Sequence, residues 1–274
     1  MEEYKNLRMD LLSSRDVQSY MSKNDMVILP IGCFEMHGPD MPLGCDYFHA
    51  WGQAIILAKE WECLVLPPVI YTFPGASGPW PGTVEISCKI TMEYIKEIVM
   101  GLIKAGFKRI VLCGTHGPLK SMLSCVIEDI YLATKVVVMH VMPPLMPEDL
   151  MREKLGYLRG EDILLAASLK ILGMHGVYDP SSIVDKPQEF PFETIAELRK
   201  ANAVMPWTFV KDYQHTGLRK KVTLKDVDTA IEIMKEAARR IKDFPEHFAK
   251  YQKEMKELWE RAPWKGADVW TEIR

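Results

Sequence analysis

The amino-acid sequence predicts an α/β fold in which parallel strands lie buried between layers of helices. Three observations carry this. Short apolar runs such as "MVILPIG" (Met26–Gly32), "KRIVLCGT" (Lys108–Thr115) and "KVVVMHVM" (Lys135–Met142) lack polar alternation, as strands covered on both faces do. They alternate with longer segments of helical spacing, the signature of βαβ units. The chain has 274 residues and 48% hydrophobic content, enough to bury a large core.

The first strand, Met26–Gly32, stops at a glycine. Tyr47–Glu62 has helical spacing, with Phe48, Trp51, Ile55 and Leu57 near one face. "CLVLPPVIYTF" (Cys63–Phe73) returns to extended chain. Thr91–Phe107 is an amphipathic helix expected to turn Tyr94, Ile95, Ile98 and Leu102 inward. The strand Lys108–Thr115, the helix Leu119–Ala133 and the strand Lys135–Met142 follow. After Pro147 the pattern becomes more helical. Glu161–Leu172 is a helix, and Gly173–Thr216 is irregular and rich in Pro, Asp and aromatic residues. Thr223–Phe244 forms one long helix, capped by Thr223 and ordered acidic-then-basic to suit its dipole. The whole chain, 1–274, reads as a single α/β domain. Its helical, aromatic tail, 245–274, carries Tyr251, Trp259, Trp264 and Trp270, and is expected to pack on the body or on a neighbouring subunit.

Composition narrows the function classes. The net charge is −3 and the isoelectric point about 6.2, without the clustered basic excess of a nucleic-acid binder. No apolar run reaches the roughly 18 residues of a membrane span. The start, "MEEYKNLRMD", lacks the apolar centre of a signal peptide, which gives a cytoplasmic expectation. Cys33, Cys45, Cys63, Cys88, Cys113 and Cys125 form no CxxC pair and read as buried reduced thiols. Cys33 and Cys45 flank a polar stretch and can line a site, without zinc-knuckle spacing. No G-x-G-x-x-G or P-loop motif occurs at a strand–helix turn.

That polar stretch is "LPIGCFEMHGPDMPLGCD" (Leu29–Asp46). Glu35 and His37 are two apart, a spacing that puts both side chains on one side of extended chain. Asp46 follows a proline-rich loop, where a helix N-cap belongs. His116 leaves the strand "RIVLCG" directly. In open parallel sheets the carboxyl ends of strands share one crevice where ligands bind. Two exits that each bring histidine or carboxylate there suit a Zn²⁺ or Mn²⁺ site. Each residue also has a structural reading: Asp46 as a helix cap, His116 as a turn histidine bonded to backbone, Glu35 as a loop charge. Asp40 reads as a turn residue, and His140 as a strand-end histidine near the same edge.

The stretch resembles the signature of the creatininase (creatinine amidohydrolase) family, P-x-G-S-x-E-x-H-G-x-H-L-P-L-x-T-D. Pro30, Gly32, Glu35, His37, Gly38, Pro42, Leu43 and Asp46 match it at unbroken spacing. Two further blocks agree in order. "GASGPWPGTVEIS" (Gly75–Ser87) is similar to the family's G-x-S-x-x-H-x-x-F-P-G-T-x-x-L through Gly75, Ser77, Pro81, Gly82 and Thr83, and "LCGTHGPLKSM" to its N-G-H-G-G-N through His116 and Gly117. The resemblance covers about the first two-thirds of the chain.

It implies a three-layer α/β/α sandwich with a mostly parallel sheet, assembled as a homo-oligomer, often a hexamer. It implies a two-metal centre holding Zn²⁺, with Mn²⁺ or Fe²⁺ as alternatives at one site. The metal ligands would be Glu35, His37, Asp46, His116 and Glu161, with catalytic roles for Glu161 and His116. Substrate contacts would come from Ser77, Trp80, Thr83 and Arg159. A metal-activated water would attack the carbonyl of a small polar, cyclic substrate, with no nucleic acid or membrane as partner.

Departures qualify the substrate. The family's fifth ligand is a glutamate, either two residues after the histidine matching His116 or in a later H-A-G-x-x-E-T-S block. Pro118 occupies the first position; Glu161, opening a helix in "GYLRGEDILLAASL", is the best match to the second. The histidine preceding that glutamate is absent, with Tyr157, Leu158 and Arg159 in its neighbourhood. The histidine of the Pro-Gly-Thr block is replaced within "SGPW". These changes argue against creatinine itself. They leave three readings: amide C–N hydrolysis, C–C hydrolysis of a cyclic diketone as in a branch acting in inositol breakdown (like 3-dehydro-scyllo-inosose hydrolase), and a non-catalytic scaffold or binding relative. Arg159 and Arg219, if in the cleft, would suit a polyoxygenated or anionic substrate.

Overall fold

A computed structural model describes residues 2–143, 145–156, 160–178, 192–203, 205 and 223–261. Four parallel strands form the sheet: β1 (Met26–Pro30), β2 (Leu64–Val65), β3 (Arg109–Cys113) and β4 (Val138–Val141). Their order is β2-β1-β3-β4, with Met26 opposite Arg109, Pro30 opposite Cys113, and Ile110 opposite Val138. β2 is short. Pro67 and Pro68 follow it, and proline interrupts a ladder because it has no N–H to donate; one further bridge joins Ile31 to Val69.

Both sheet faces are covered. Along β1, Met26 and Ile28 pack into one core and Val27 and Leu29 into the other, the period-2 alternation of a strand buried on two sides. The first core holds α2 (Cys45–Trp61), α5 (Glu148–Leu155), α6 (Glu161–Ile171) and α8 (Leu224–Arg240). The second holds α3 (Cys88–Ala105) and α4 (Leu119–Thr134), with α1 (Ser14–Met21) at its margin. The result is the α/β/α arrangement with a parallel sheet that the sequence predicts.

The connections place the site. From β1 the chain crosses one face through α2 to β2, then returns over the opposite face through α3 to β3. β1 and β3 therefore flank a topological switch point, the place at the carboxyl edge where open parallel sheets bind ligands. Among the described residues, no helix is long and apolar enough to cross a membrane.

Three details differ from the sequence reading. The buried seam of α3 is Thr91, Ile95, Val99 and Leu102. Tyr94 is instead 50% exposed, because it lies one position off the i, i+4, i+8, i+11 stripe. The helix expected over Thr223–Phe244 is α8 and ends at Arg240; a separate helix, α9 (Phe244–Trp259), begins after Ile241–Asp243 and forms the described part of the tail. Pro245 opens α9 in its first turn, where a missing N–H costs nothing. α9 packs on the body: Phe248 is buried, Phe244 stacks on Trp61 with ring centroids 4.4 Å apart, and Lys135 Nζ lies 3.9 Å from the Trp259 ring centre. Trp264 and Trp270 lie outside the described residues. Between β4 and α9, α7 (Glu193–Lys200) is a further short helix.

Candidate metal centre

Two glycines let the strand exits close on one another. A Cβ at Gly32 would lie 2.3 Å from the Cα and N of Tyr47, so the start of α2 rests directly on the β1 exit. A Cβ at Gly114 would lie 2.4 Å from the carbonyl oxygen of Ile31, so the β1 and β3 exits run in contact. Backbone bonds hold the polar loop beyond: Glu35 N donates to Leu43 O at 2.9 Å and Val84 N to Phe34 O at 3.1 Å. Met36 N donates to the Thr83 hydroxyl at 3.0 Å. The Pro-Gly-Thr block thus clamps the loop that carries Glu35 and His37.

Four of the predicted residues meet there. Glu35, His37, Asp46 and His116 are 1%, 2%, 4% and 5% exposed. His116 Nδ1 lies 2.9 Å from Glu35 Oε1 and 2.8 Å from Asp46 Oδ2. His37 Nε2 lies 3.2 Å from Asp46 Oδ1. Asp46 sits in the first turn of α2, but the N-cap is Gly44, and the aspartate side chain faces the histidines. Asp46 is therefore not the cap. His116 makes the backbone bond of its structural reading, with Nε2 2.8 Å from the Phe73 carbonyl, while Nδ1 faces the carboxylates.

Backbone carbonyls set the ring tautomers. A carbonyl oxygen only accepts, so His116 Nε2 carries its hydrogen toward Phe73 and Nδ1 is the inward nitrogen. His37 Nδ1 lies 3.3 Å from the Glu35 carbonyl, which turns Nε2 inward in the same way. The inward atoms are thus one nitrogen of each ring and the carboxylate oxygens, an arrangement that takes either a cation or protons between them. Asp46 Oδ2, buried, makes no hydrogen bond of normal geometry despite its 2.8 Å approach to His116. This donor set fits a cation.

Without an ion, protons substitute. Burial works against charging His116, but Asp46 and Glu35 beside it push its imidazole up to about 10. Burial likewise opposes ionisation of Asp46, yet the two histidines outweigh it and hold the carboxyl well below its usual range. For Glu35 burial dominates and raises its carboxyl, with His116 pulling the other way.

The remaining candidates divide. Ser77, fully buried, donates its hydroxyl to Glu35 Oε2. Thr83 supports Met36, and Trp80 is half-buried in the turn that follows Ser77, its backbone N–H donating to Ser77 O at 3.0 Å. Glu161 opens α6, with its side chain outside the described residues, as are Arg159 and Arg219. His140 is at the expected edge, its Nε2 3.3 Å from Gly114 O. Cys33, to which the motif assigns no role, also stands here. Its Sγ lies within 4.8 Å of donor atoms of Glu35, Asp46 and His116. The alternate spacing Cys33, Glu35, His37 is the signal that points to it.

The family model for creatininase, creatinine amidohydrolase, matches residues 10–176. The chain is 27% identical over 118 residues to the 3-dehydro-scyllo-inosose hydrolase of Thermotoga maritima, covering 43% of this chain and 38% of that protein. It is 36% identical over 67 residues to the mycofactocin precursor peptide peptidase of Mycolicibacterium smegmatis, covering 22% and 27%. The matched stretch therefore spans well under two-thirds of either relative. The solved structure described as "Creatininase Mn" superposes with a TM-score of 0.65 at 17% identity, covering 87% of this chain and 98% of its own. A creatinine amidohydrolase structure superposes with a TM-score of 0.64 at 18% identity, covering 86% and 96%. At such identities these structures establish the shared fold. The family match extends over more than half of the sequence and contains Glu35, His37, Asp46 and His116, so this chain belongs to the creatininase family.

Proposed function

We propose that the chain is a divalent-metal-dependent hydrolase that cleaves a bond at the carbonyl of a small, polar, cyclic substrate, an amide C–N bond, with creatinine excluded. The observation that carries this is the convergence of imidazole nitrogens on carboxylate oxygens. His116 Nδ1 lies 2.9 Å from Glu35 Oε1 and 2.8 Å from Asp46 Oδ2, and all three residues are buried. Buried acceptors and charges need a cation or proton between them. Nitrogen and oxygen donors of this kind suit Zn²⁺ or Mn²⁺. Glu35, His37, Asp46 and His116 would hold the ions, with Glu161 as a fifth ligand from the start of α6.

A bound divalent ion supplies a polarised carbonyl and an acidified water. The chain's residues do the orienting. The Phe73 and Glu35 carbonyls fix the two imidazoles with a lone pair inward. Ser77 holds the outer oxygen of Glu35, leaving Oε1 for the centre. Burial keeps bulk water from competing for these groups.

A second reading, C–C cleavage in a cyclic ketone, has one relative in its favour, the 3-dehydro-scyllo-inosose hydrolase. The lost histidines at "SGPW" and beside Arg159 favour it too, since a departing carbon does not need the proton donor that a departing nitrogen needs. The four intact ligand positions weigh against a scaffold role. A homo-oligomer and a cytoplasmic setting complete the reading.

Metal analysis of the purified protein tests it, with turnover measured on cyclic amides and cyclic ketones in the presence of zinc or manganese. The expected result is about one to two ions per chain, hydrolysis of one class, and loss of both ion and turnover in Asp46→Ala or His37→Ala. A metal-free protein that cannot be loaded, or full turnover in these variants, refutes the proposal. Ketone turnover without amide turnover selects the second reading.

A further inference from the structure

Cys33 occupies a position that the metal reading above leaves unused. It leaves the β1 exit two residues before Glu35 and four before His37, so all three share one side of an extended segment. Its Sγ, one oxygen each of Glu35 and Asp46, and one nitrogen of His116 all lie within 4.8 Å of one another, and all four residues are buried. Ligand atoms about 2.0–2.3 Å from a tetrahedral zinc ion are themselves about 3.3–3.8 Å apart. His116 Nδ1 already stands closer than this to Glu35 Oε1 and Asp46 Oδ2, at 2.9 and 2.8 Å, so an ion entering between them would part these atoms and draw the sulfur in. The thiol's present bond, to Thr72 O, is long at 3.6 Å, so little holds it back.

We propose that Cys33 supplies a sulfur ligand to this centre, making a mixed sulfur, nitrogen and oxygen site that selects Zn²⁺ and Co²⁺ over Mn²⁺ and Mg²⁺. Soft sulfur favours the former pair, whereas carboxylate and water oxygens suit the latter. A thiol that binds a divalent ion passes its proton to solvent. This inference rests on the proposed metal dependence.

The test is titration of Co²⁺ into the metal-free protein, followed by absorption. Visible d–d bands report that an ion is bound; a near-ultraviolet sulfur-to-cobalt charge-transfer band reports the thiolate. Both are expected in the natural sequence. In Cys33→Ser the near-ultraviolet band should vanish while the visible bands persist, and the preference for zinc over manganese should fall by about tenfold or more. Visible bands without the near-ultraviolet band in the natural sequence overturn the Cys33 ligand and leave metal dependence standing. Absence of both overturns metal dependence as well. Should Cys33→Ser fail to fold, zinc-edge X-ray absorption of the natural sequence decides: a sulfur neighbour at about 2.3 Å supports the proposal, and a shell of nitrogen and oxygen alone overturns it.

Discussion

Gly32→Ala is a one-carbon change with a large expected effect. The added Cβ would meet Tyr47 Cα and N at 2.3 Å and the carbonyl carbon of Asp46 at 2.6 Å. Carbon atoms rest about 3.5–4.0 Å apart, so the start of α2 must retreat by more than about 1 Å. These are backbone atoms, so no rotamer change absorbs the overlap. Overpacking of this kind costs about 1–3 kcal/mol, a fall in Tm of about 2–4 °C for each kcal/mol in a chain of this size range. The same retreat carries Asp46 away from His37 and His116, now at 3.2 and 2.8 Å. Metal ligands tolerate about 0.2 Å, so Gly32→Ala should lose metal content beyond what its stability loss explains. Gly101→Ala is the control. Gly101 is exposed within α3, and a Cβ there would meet nothing within 4 Å, so alanine should stabilise by about 0.5–1 kcal/mol. Calorimetry and metal analysis of both variants check this. Equal Tm values and full metal loading in Gly32→Ala would refute the close approach of α2 to the β1 exit.

Further tests probe single side chains. Ser77→Ala leaves Glu35 Oε2 without its hydroxyl donor and should weaken metal affinity by about 10–100-fold; a rise in KM at unchanged metal affinity would make Ser77 a substrate contact instead. Glu161→Gln should empty one of two metal positions, seen as half the bound zinc by mass analysis, and unchanged zinc and rate would remove Glu161 from the ligand set. Thr223→Ala breaks a reciprocal cap in which Asp226 N donates to the Thr223 hydroxyl at 3.2 Å and Thr223 N to Asp226 Oδ2 at 2.9 Å. It should cost about 1 kcal/mol in chemical denaturation and leave metal content untouched.

Much of the fold was readable from the chain because it rests on short-range pattern. Unalternated runs at Met26–Pro30 and Arg109–Cys113 state that both strand faces are buried, whatever covers them. Thr223 with Asp226 three residues on is a capping box in sequence and in space. The paired spacing of Glu35 and His37 at a strand exit likewise marks a site before any distance is known.

What remained depended on neighbours far away in the chain. Tyr94 and Ile95 both sit on an apolar helix face, and only the position of the sheet decides which of them is buried. Asp46 can equally cap a helix or turn to a histidine; Gly44 takes the cap, and His116, seventy positions later, takes the carboxylate. Cys33 and Ser77 acquire their places at the centre through packing of the β1 exit, α2 and the turn at Gly75–Ser77. Sequence by itself determined the layered parallel architecture and the residue types capable of binding a metal, because periodicity and donor chemistry are local properties. Tertiary structure decided which donors face one another, because that distance is set by how separate strand exits and helix ends pack.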